Sequence, residues 1–447
     1  MQNLAYSVTV QLSRYLIIIM FAVYVLGCFR VFSKTPEKAE KTYRRQIGLV
    51  IAIQFLAMLI LFLSEPKKIY IILYVGGLAF VIFTDLAYRY VYKGISRVLL
   101  NTSIMLIMIG FVELARLNTG YAIRQLCFAS SVSFIGLFVP IIIEKFKYFN
   151  KLAFLYALVG IGLLGIVFIF GKEQYGAKNW IFIKGVGVQP SEFVKLLFVF
   201  FLAASLEKTK SIKRLLFVSV IAAVHVLILV FERDLGGAFI LFITYLAMVY
   251  IATEKFAYLL LGTAMGSGAA VVAYKLFSHV RVRVIAFLNP WDHIENEGYQ
   301  VAQSLFAIGT GGFLGMGFTE GLPDSIPVVS SDFIFAAISE EFGVFFGICL
   351  ILLEISCFIM FINIALKMKR VFFKYTALGL AVEYIVQVLL NIGGVVKFIP
   401  STGVTLPLIS YGGSSIISTY LMIVIVQGMY SINFTESQEV LKHEEDA

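Results

Sequence analysis

The sequence predicts an all-α polytopic membrane protein of about 13 transmembrane helices, with a large extracellular loop before the eleventh span. Three observations carry that prediction. Of 447 residues, 60% are hydrophobic and only 14% are charged, against roughly a quarter charged in soluble domains. Apolar runs of roughly 20 residues, the length that crosses about 30 Å of hydrocarbon, recur along the chain. Lysine and arginine gather between the runs, so membrane topology accounts for the net charge of +9 and nucleic acid is not an expected partner.

Thirteen spans are expected, at 13–33, 46–64, 69–88, 98–115, 124–144, 151–171, 189–206, 214–231, 234–253, 256–276, 333–365, 376–397 and 405–431. No small-residue cleavage site follows the first run, which reads as a retained span. One set of connections holds Arg30, Lys34, Lys38, Lys41, Arg44 and Arg45, then Arg89, Lys93 and Arg97. It continues with Lys145, Lys147, Lys151, Lys208, Lys210, Lys213, Arg214 and Lys255, and ends with Lys367, Lys369, Arg370, Lys374 and Lys442. These are 22 of the 36 basic residues. Positive-inside bias makes that side cytoplasmic, with the N-terminus outside and the acidic C-terminal tail inside. Cys28, Cys127, Cys349 and Cys357 fall in or beside apolar runs and read as small core residues, not as a disulfide or zinc set.

Ionisable residues within spans are costly and call for a reason. Glu192 and Lys195 lie three apart on one helix face. They form either a structural ion pair or a polar floor beneath an outward-facing cavity. Asp234 opens the span from 234, where a carboxylate suits the helix N-terminus. Glu354 and Glu383 are expected to face other helices. His225 reads as a packing residue.

Two segments, 172–188 and 277–332, are too long for simple connections, and both fall outside by this count. The second is rich in glycine and aromatics, so order is expected. It carries Arg281 and Arg283, then Asn289-Pro290-Trp291-Asp292, then Gly298-Tyr299-Gln300-Val301-Ala302-Gln303-Ser304. Gly309, Gly311, Gly312, Gly315, Gly317 and Gly321 follow. Glycines permit positive φ and close approach, so their amides can meet an anion or form a tight re-entrant turn. Arginines suit a diphosphate. Asp332 stands where the loop meets the next span. It either caps that helix or, partly desolvated, acts as a general base.

Several blocks carry a family resemblance. They are Gly176-Ala177, Trp180 and Gln189-Pro190-Ser191-Glu192 with Lys195, then Asp234-Leu235-Gly236, Asn289-Pro290 and Gly298-Tyr299-Gln300. Gln303-Ser304 through Gly312 come next, then Asp332-Phe333-Ile334-Phe335-Ala336 with Glu340-Glu341 and Gly343. The last is Gly403-Val404 with Leu406 through Ser415. In this order the chain, from about 98 to 431, resembles the SEDS family of bacterial shape, elongation, division and sporulation proteins, the RodA/FtsW/SpoVE group. Four positions depart from the family pattern. Asn179 replaces the usual arginine before Trp180. Glu232-Arg233 replaces Gln-Pro before the Asp-Leu-Gly block. Pro327-Val328-Val329-Ser330-Ser331 replaces Pro-Glu-x-His-Thr before Asp332, and Lys397 is an additional basic residue.

The resemblance implies a ten-helix catalytic domain over 98–431, preceded by an extra membrane region of about three spans over 1–97 and followed by the acidic tail 432–447. It implies a peptidoglycan glycosyltransferase in the bacterial cytoplasmic membrane, polymerising lipid II onto a glycan held on polyprenyl diphosphate. It gives Asp332 the catalytic role, and it implies a class B penicillin-binding protein as partner. A leaving diphosphate needs cations. The candidates are Arg281, Arg283, Lys178, Lys184 and Lys195, or a divalent magnesium or manganese ion; Glu192 belongs to the same substrate-binding set. Gln300, Gln303 and Ser304 either hydrogen-bond the substrate or pin the loop. A lipid flippase and a silent scaffold for a transpeptidase are the rival classes.

Overall fold

The computed structural model describes residues 2–445 apart from 34, 147, 175–176, 184–185 and 210. The helices, in chain order, are α1 Gln2–Arg30, α2 Pro36–Ser64, α3 Lys68–Val91, α4 Arg97–Leu117, α5 Thr119–Gly136, α6 Val139–Lys145 and α7 Ala153–Phe170. After a small sheet come α8 Pro190–Leu206, α9 Ile212–Phe231, α10 Leu235–Thr253, α11 Phe256–Leu276, α12 Ser278–Leu288 and α13 Tyr299–Gly311. The chain ends with α14 Ile334–Lys367, α15 Val371–Val395 and α16 Gly413–Glu445.

Among the described residues, twelve helices are long and apolar enough to cross a membrane. The remaining expected span, 189–206, is α8, only 17 residues long. Its mean hydropathy is lowered by Glu192 and Lys195, and most of its surface faces protein. The apolar stretch of α4 is wholly buried, whereas α11 buries none of its residues. This contrast follows from position: α4 is the central pillar, against which α2, α5 and α14 pack, and α11 meets only α10 and α12 among its main neighbours.

The segment 172–188 departs from the all-α expectation. It folds as a three-stranded antiparallel meander of β1 Lys172–Gln174, β2 Ala177–Ile183 and β3 Val186–Val188. The β-forming run Trp180-Ile181-Phe182-Ile183 supplies the central strand, and Ile181 pairs with Val188. The segment 277–332 is ordered by α12, α13 and a short 3-10 turn at Pro323–Ser325.

The glycine-rich stretch after α13 does not present its amides to a ligand. It zips onto a break in α14 at Gly343, where φ is +86°. Met316 N and Gly317 N donate to the carbonyls of Glu340 and Glu341 at 2.9 and 3.0 Å. Val344 N and Phe345 N donate back to Gly312 and Phe313 at 2.9 and 3.1 Å. The approach is too close for side chains: a Cβ at Gly315 lies 2.2 Å from the Glu341 carbonyl oxygen, and one at Gly343 lies 2.3 Å from the Gly315 nitrogen. Of the two readings of these glycines, the re-entrant turn is the one realised.

The three N-terminal helices pack onto the rest of the bundle, α1 against α14, α2 against α4, and α3 against α5. Phe21 of α1 stacks on Phe346 at 4.2 Å between centroids. Buried Arg14 donates to the Gly315 carbonyl at 2.6 Å. The start of α1 therefore props the same strap that closes on the broken helix.

Candidate active site

Asp332 sits at the junction of the segment 277–332 and α14. The chain turns at Val328, whose φ is +57°, and the amides of Ser331 and Asp332 both donate to the Val328 carbonyl at 3.1 and 3.2 Å. Two distant segments then clamp this turn. Asn391 of α15 donates to the Asp332 carbonyl at 2.9 Å and to the Val404 carbonyl at 2.7 Å. Tyr411 N donates to the Ser330 carbonyl at 2.8 Å, and the Ser410 hydroxyl donates to the Ser331 carbonyl.

The side chain itself is left for other work. The N-cap of α14 is Phe333, and no side chain caps that helix. The capping alternative for Asp332 is thereby removed. The residue is partly exposed. Burial of its carboxyl pushes the pKa above the usual aspartate range, while the Ser331 hydroxyl and the Arg283 charge pull it back. A desolvated carboxylate of raised proton affinity suits proton abstraction.

Arg283 on α12 faces it. A Cβ built on Gly403, whose φ is +73°, lies 3.5 Å from Asp332 Oδ2 and 3.7 Å from Arg283 Nη2. The two side chains thus meet across a bare glycine without forming an ion pair within 4 Å among the described residues. Arg283 Nη1 donates to the Ser401 carbonyl at 3.2 Å, which fixes the guanidinium. Burial draws its pKa below the usual guanidinium range, opposed by the charges of Asp234 and Asp332.

Asp234 is the anchor beside this pair. Its Oδ1 accepts from Gly237 N at 2.8 Å, capping α10 as expected. Its Oδ2 accepts from Asn179, Gln189 and Ser191 at 3.1, 3.3 and 3.2 Å. One carboxylate thus joins the meander, the start of α8 and α10. Asn179 is one of its donors.

The other expected site residues divide. Lys195 is buried and bonded to Glu192 Oε2 at 2.9 Å and Gln387 Oε1 at 2.7 Å. Ser418 donates to Glu192 Oε2 at 2.7 Å. A lysine neutralised in this way is not an available phosphate cation, so the ion-pair reading of Glu192 and Lys195 replaces the substrate-contact one. The pair does border a small cavity of about 30 Å³, shared with Asp234 and Gly403, which has room for water but not for a sugar. Ser304 is buried and donates to the Val301 and Val395 carbonyls at 2.8 and 3.0 Å, so it pins α13 to α15 and does not face substrate. Gln300 is exposed and Gln303 partly so on the same helix. Arg281 is exposed, two residues from Arg283 on α12. Lys178 lies over Phe168 and donates to its carbonyl at 2.8 Å. Lys184 falls outside the described residues.

The sequence reading missed Gly403, Asn391 and Glu232. Gly403 stood within a quoted block without a role, and Asn391 carried no signal at all. Glu232 is buried, with both carboxylate oxygens lacking a hydrogen bond among the described residues. Burial pushes its carboxyl up to about 8, helped by Asp234 and opposed by Lys178. Among the described residues no group of three or more His, Cys, Asp and Glu side chains can hold a metal. Asp234 already accepts four hydrogen bonds.

Residues 112–433 match the FtsW/RodA/SpoVE family model, described as cell cycle protein. The chain belongs to this family. Among FtsW/RodA/SpoVE relatives, the peptidoglycan glycosyltransferase RodA of Mycobacterium tuberculosis is 36% identical over 289 residues, covering 59% of this chain and 62% of that protein. The match thus spans less than two thirds of the mycobacterial relatives' length. Stage V sporulation protein E of Bacillus subtilis is 36% identical over 310 residues, covering 66% of this chain and 83% of that protein. The fold is shared with a solved peptidoglycan synthase complex that coordinates polymerization and crosslinking, at a TM-score of 0.65 and 24% identity over 76% of this chain and 99% of that one. It is shared also with RodA of Thermus thermophilus, at 0.56 and 24% over 75% and 97%. The chain is accordingly a multi-pass membrane protein, and α1–α3 precede its family-matched region.

Proposed function

We propose that the chain is a peptidoglycan glycosyltransferase that polymerises lipid II, with Asp332 as general base and Arg283 beside it as the cation for the leaving group. The observation that carries this reading is the uncapped Asp332 carboxylate facing Arg283 across Gly403. In the reaction, a sugar hydroxyl of lipid II gives its proton to Asp332. Its oxygen bonds to the anomeric carbon of the growing glycan. The bond from that carbon to the polyprenyl diphosphate breaks, and the electron pair leaves with the phosphate oxygen. One displacement inverts configuration. Arg283 is held by Ser401 where it stabilises negative charge as it develops. No step requires a resident metal; a divalent ion reaching the site would be held chiefly by substrate phosphates.

In this reading 98–431 is the catalytic unit, with Asp332 at the outer face of the bacterial cytoplasmic membrane. The N-terminus is outside and the tail 432–447 is cytoplasmic. A class B penicillin-binding protein cross-links the product. The test is purified full-length chain incubated with lipid II, with and without a candidate partner. Glycan polymer is expected. Transfer of lipid II across a liposome bilayer without polymer would establish a flippase and overturn the proposal.

A further inference from the structure

His279 is a polar residue beside Arg283 that the proposed chemistry does not use. It stands one turn before Arg283 on α12, so the two side chains share a helix face, with roughly 6 Å between their Cβ atoms. Arg281, between them in sequence, points off that face. His279 is partly exposed, yet its Nε2 is shut off from solvent and has no hydrogen-bond partner among the described residues. A buried polar atom left in this way is costly unless a ligand meets it.

The charges around it select that ligand. Burial lowers the His279 pKa below the usual histidine value, and the positive charges of Arg233 and Arg283 lower it further. Both charges that bear on it are positive, whereas Arg283 also meets Asp234 and Asp332. Arg233 comes from the turn between α9 and α10 and pairs with Glu173 at 3.2 Å in an exposed contact. The imidazole is therefore held neutral, and in the tautomer with Nε2–H it is a donor set in positive potential. Its complement is an anion with acceptor oxygens, and phosphate is the anion that the proposed reaction brings.

On its other side the imidazole lies against Phe277, at 5.5 Å between ring centroids, and Phe277 meets Phe231 edge-on at 6.5 Å. Phe231 ends α9 and Leu276 ends α11, and the two residues are 63% and 69% exposed. Both helices are apolar enough to cross a membrane. Their ends therefore stand where hydrocarbon gives way to headgroups, on the end of the bundle that carries Asp332. Along this surface the order is Asp332, Arg283, His279, Phe277. A lipid-linked sugar has the matching order from its anomeric carbon outward: phosphate, phosphate, polyprenyl chain.

We propose that His279 holds the second phosphate of the donor, the one bearing the polyprenyl chain, through Nε2–H, while Arg283 meets the phosphate next to the sugar and the first isoprene units lie on Phe277 and Phe231. This rests on the reading of Asp332 and Arg283 as the reacting pair. It gives the donor lipid an approach from the membrane between the ends of α9 and α11. Inorganic pyrophosphate carries the same two phosphates but makes no use of the aromatic patch, so the lipid diphosphate is the better fit.

The experiment uses purified full-length chain in detergent and takes two readings: equilibrium binding of farnesyl diphosphate and of inorganic pyrophosphate, and steady-state polymerisation of lipid II. Farnesyl diphosphate is expected to bind wild type about tenfold tighter than pyrophosphate, since buried isoprene carbons add to the phosphate contacts. His279→Phe is expected to weaken farnesyl diphosphate binding about tenfold or more, equivalent to at least ~1.4 kcal/mol, and to raise the KM for lipid II with a smaller change in kcat. Its thermal midpoint should not fall, because the change removes an orphaned polar atom. His279→Ala should show the same loss of binding. His279→Gln, which restores an N–H at similar reach, should bind within a few-fold of wild type. Farnesyl diphosphate binding unchanged in His279→Phe and His279→Ala overturns the proposal, and so does His279→Gln binding as weakly as His279→Phe. Equal binding of pyrophosphate and farnesyl diphosphate by wild type also overturns it, leaving an anion site only. Wild type that binds farnesyl diphosphate through His279 yet makes no polymer would refute the glycosyltransferase reading and with it the donor role, while the lipid diphosphate subsite stands.

Discussion

Gly403→Ala is the most informative small change in the site. The residue has φ of +73°, and its missing Cβ is the point that both Asp332 Oδ2 and Arg283 Nη2 approach, at 3.5 and 3.7 Å. Those distances are ordinary van der Waals contacts, so the methyl enters without a clash. The stability cost is then mainly the positive φ, about 1–2 kcal/mol. The catalytic cost is larger, because the methyl stands where a hydroxyl must come within hydrogen-bond reach of the carboxylate. A displacement of about 1 Å costs roughly 100-fold in rate. Polymerisation of lipid II should therefore fall about 100-fold, while the thermal midpoint in detergent moves only slightly. Gly312→Ala is the control. Its φ is +57° and ψ −150°, a conformation essentially restricted to glycine, and nothing lies within 4 Å of its Cβ; it controls for backbone strain alone, and should lower the thermal midpoint while activity per folded protein is kept. Gly403→Ala turning over within a few-fold of wild type would refute the placement of substrate between Asp332 and Arg283.

Three further outcomes are expected. Arg283→Gln should lower kcat about 100-fold or more with little change in KM, since its charge matters chiefly as the diphosphate leaves; steady-state kinetics on lipid II separates the two. Glu232, with a folded pKa of about 8 against an ordinary value near 4.5, contributes stability that is complete below pH 4.5 and is lost as pH rises through about 8. Glu232→Gln should therefore match wild type in thermal midpoint at pH 5 and exceed it at pH 9. Arg14→Met leaves the Gly315 carbonyl without its donor and should cost about 1–3 kcal/mol, read as a lower midpoint and faster proteolysis in 312–317.

Much of the fold was legible because hydrocarbon imposes one rule on every span. The apolar run marked 189–206 as a span, and α8 there carries Glu192 and Lys195 inside the bundle, where the solvent is protein. The meander at 172–188 was legible in principle, since Trp180 through Ile183 is a β-forming run between glycines, but length alone was used there. Asp332 was found because it sits between a loop and a span. The partners that decide its role come from far away, Asn391 59 residues on and Ser410 79 residues from Ser331, and no local pattern announces them. Larger separations part Lys195 from Gln387, 192 residues, and Ser304 from Val395, 91 residues. Lys195 and Ser304, each open in sequence between a substrate role and a structural one, are bonded to the protein itself.

The central claim is that Asp332, freed from helix capping, removes a proton from a sugar hydroxyl. The direct measurement is polymer yield from purified full-length Asp332→Asn with lipid II, alongside its thermal midpoint. The nearly isosteric amide keeps the turn at Val328 and the bonds from Asn391, so the account predicts a wild-type midpoint and no polymer. Polymer at near wild-type yield would contradict it.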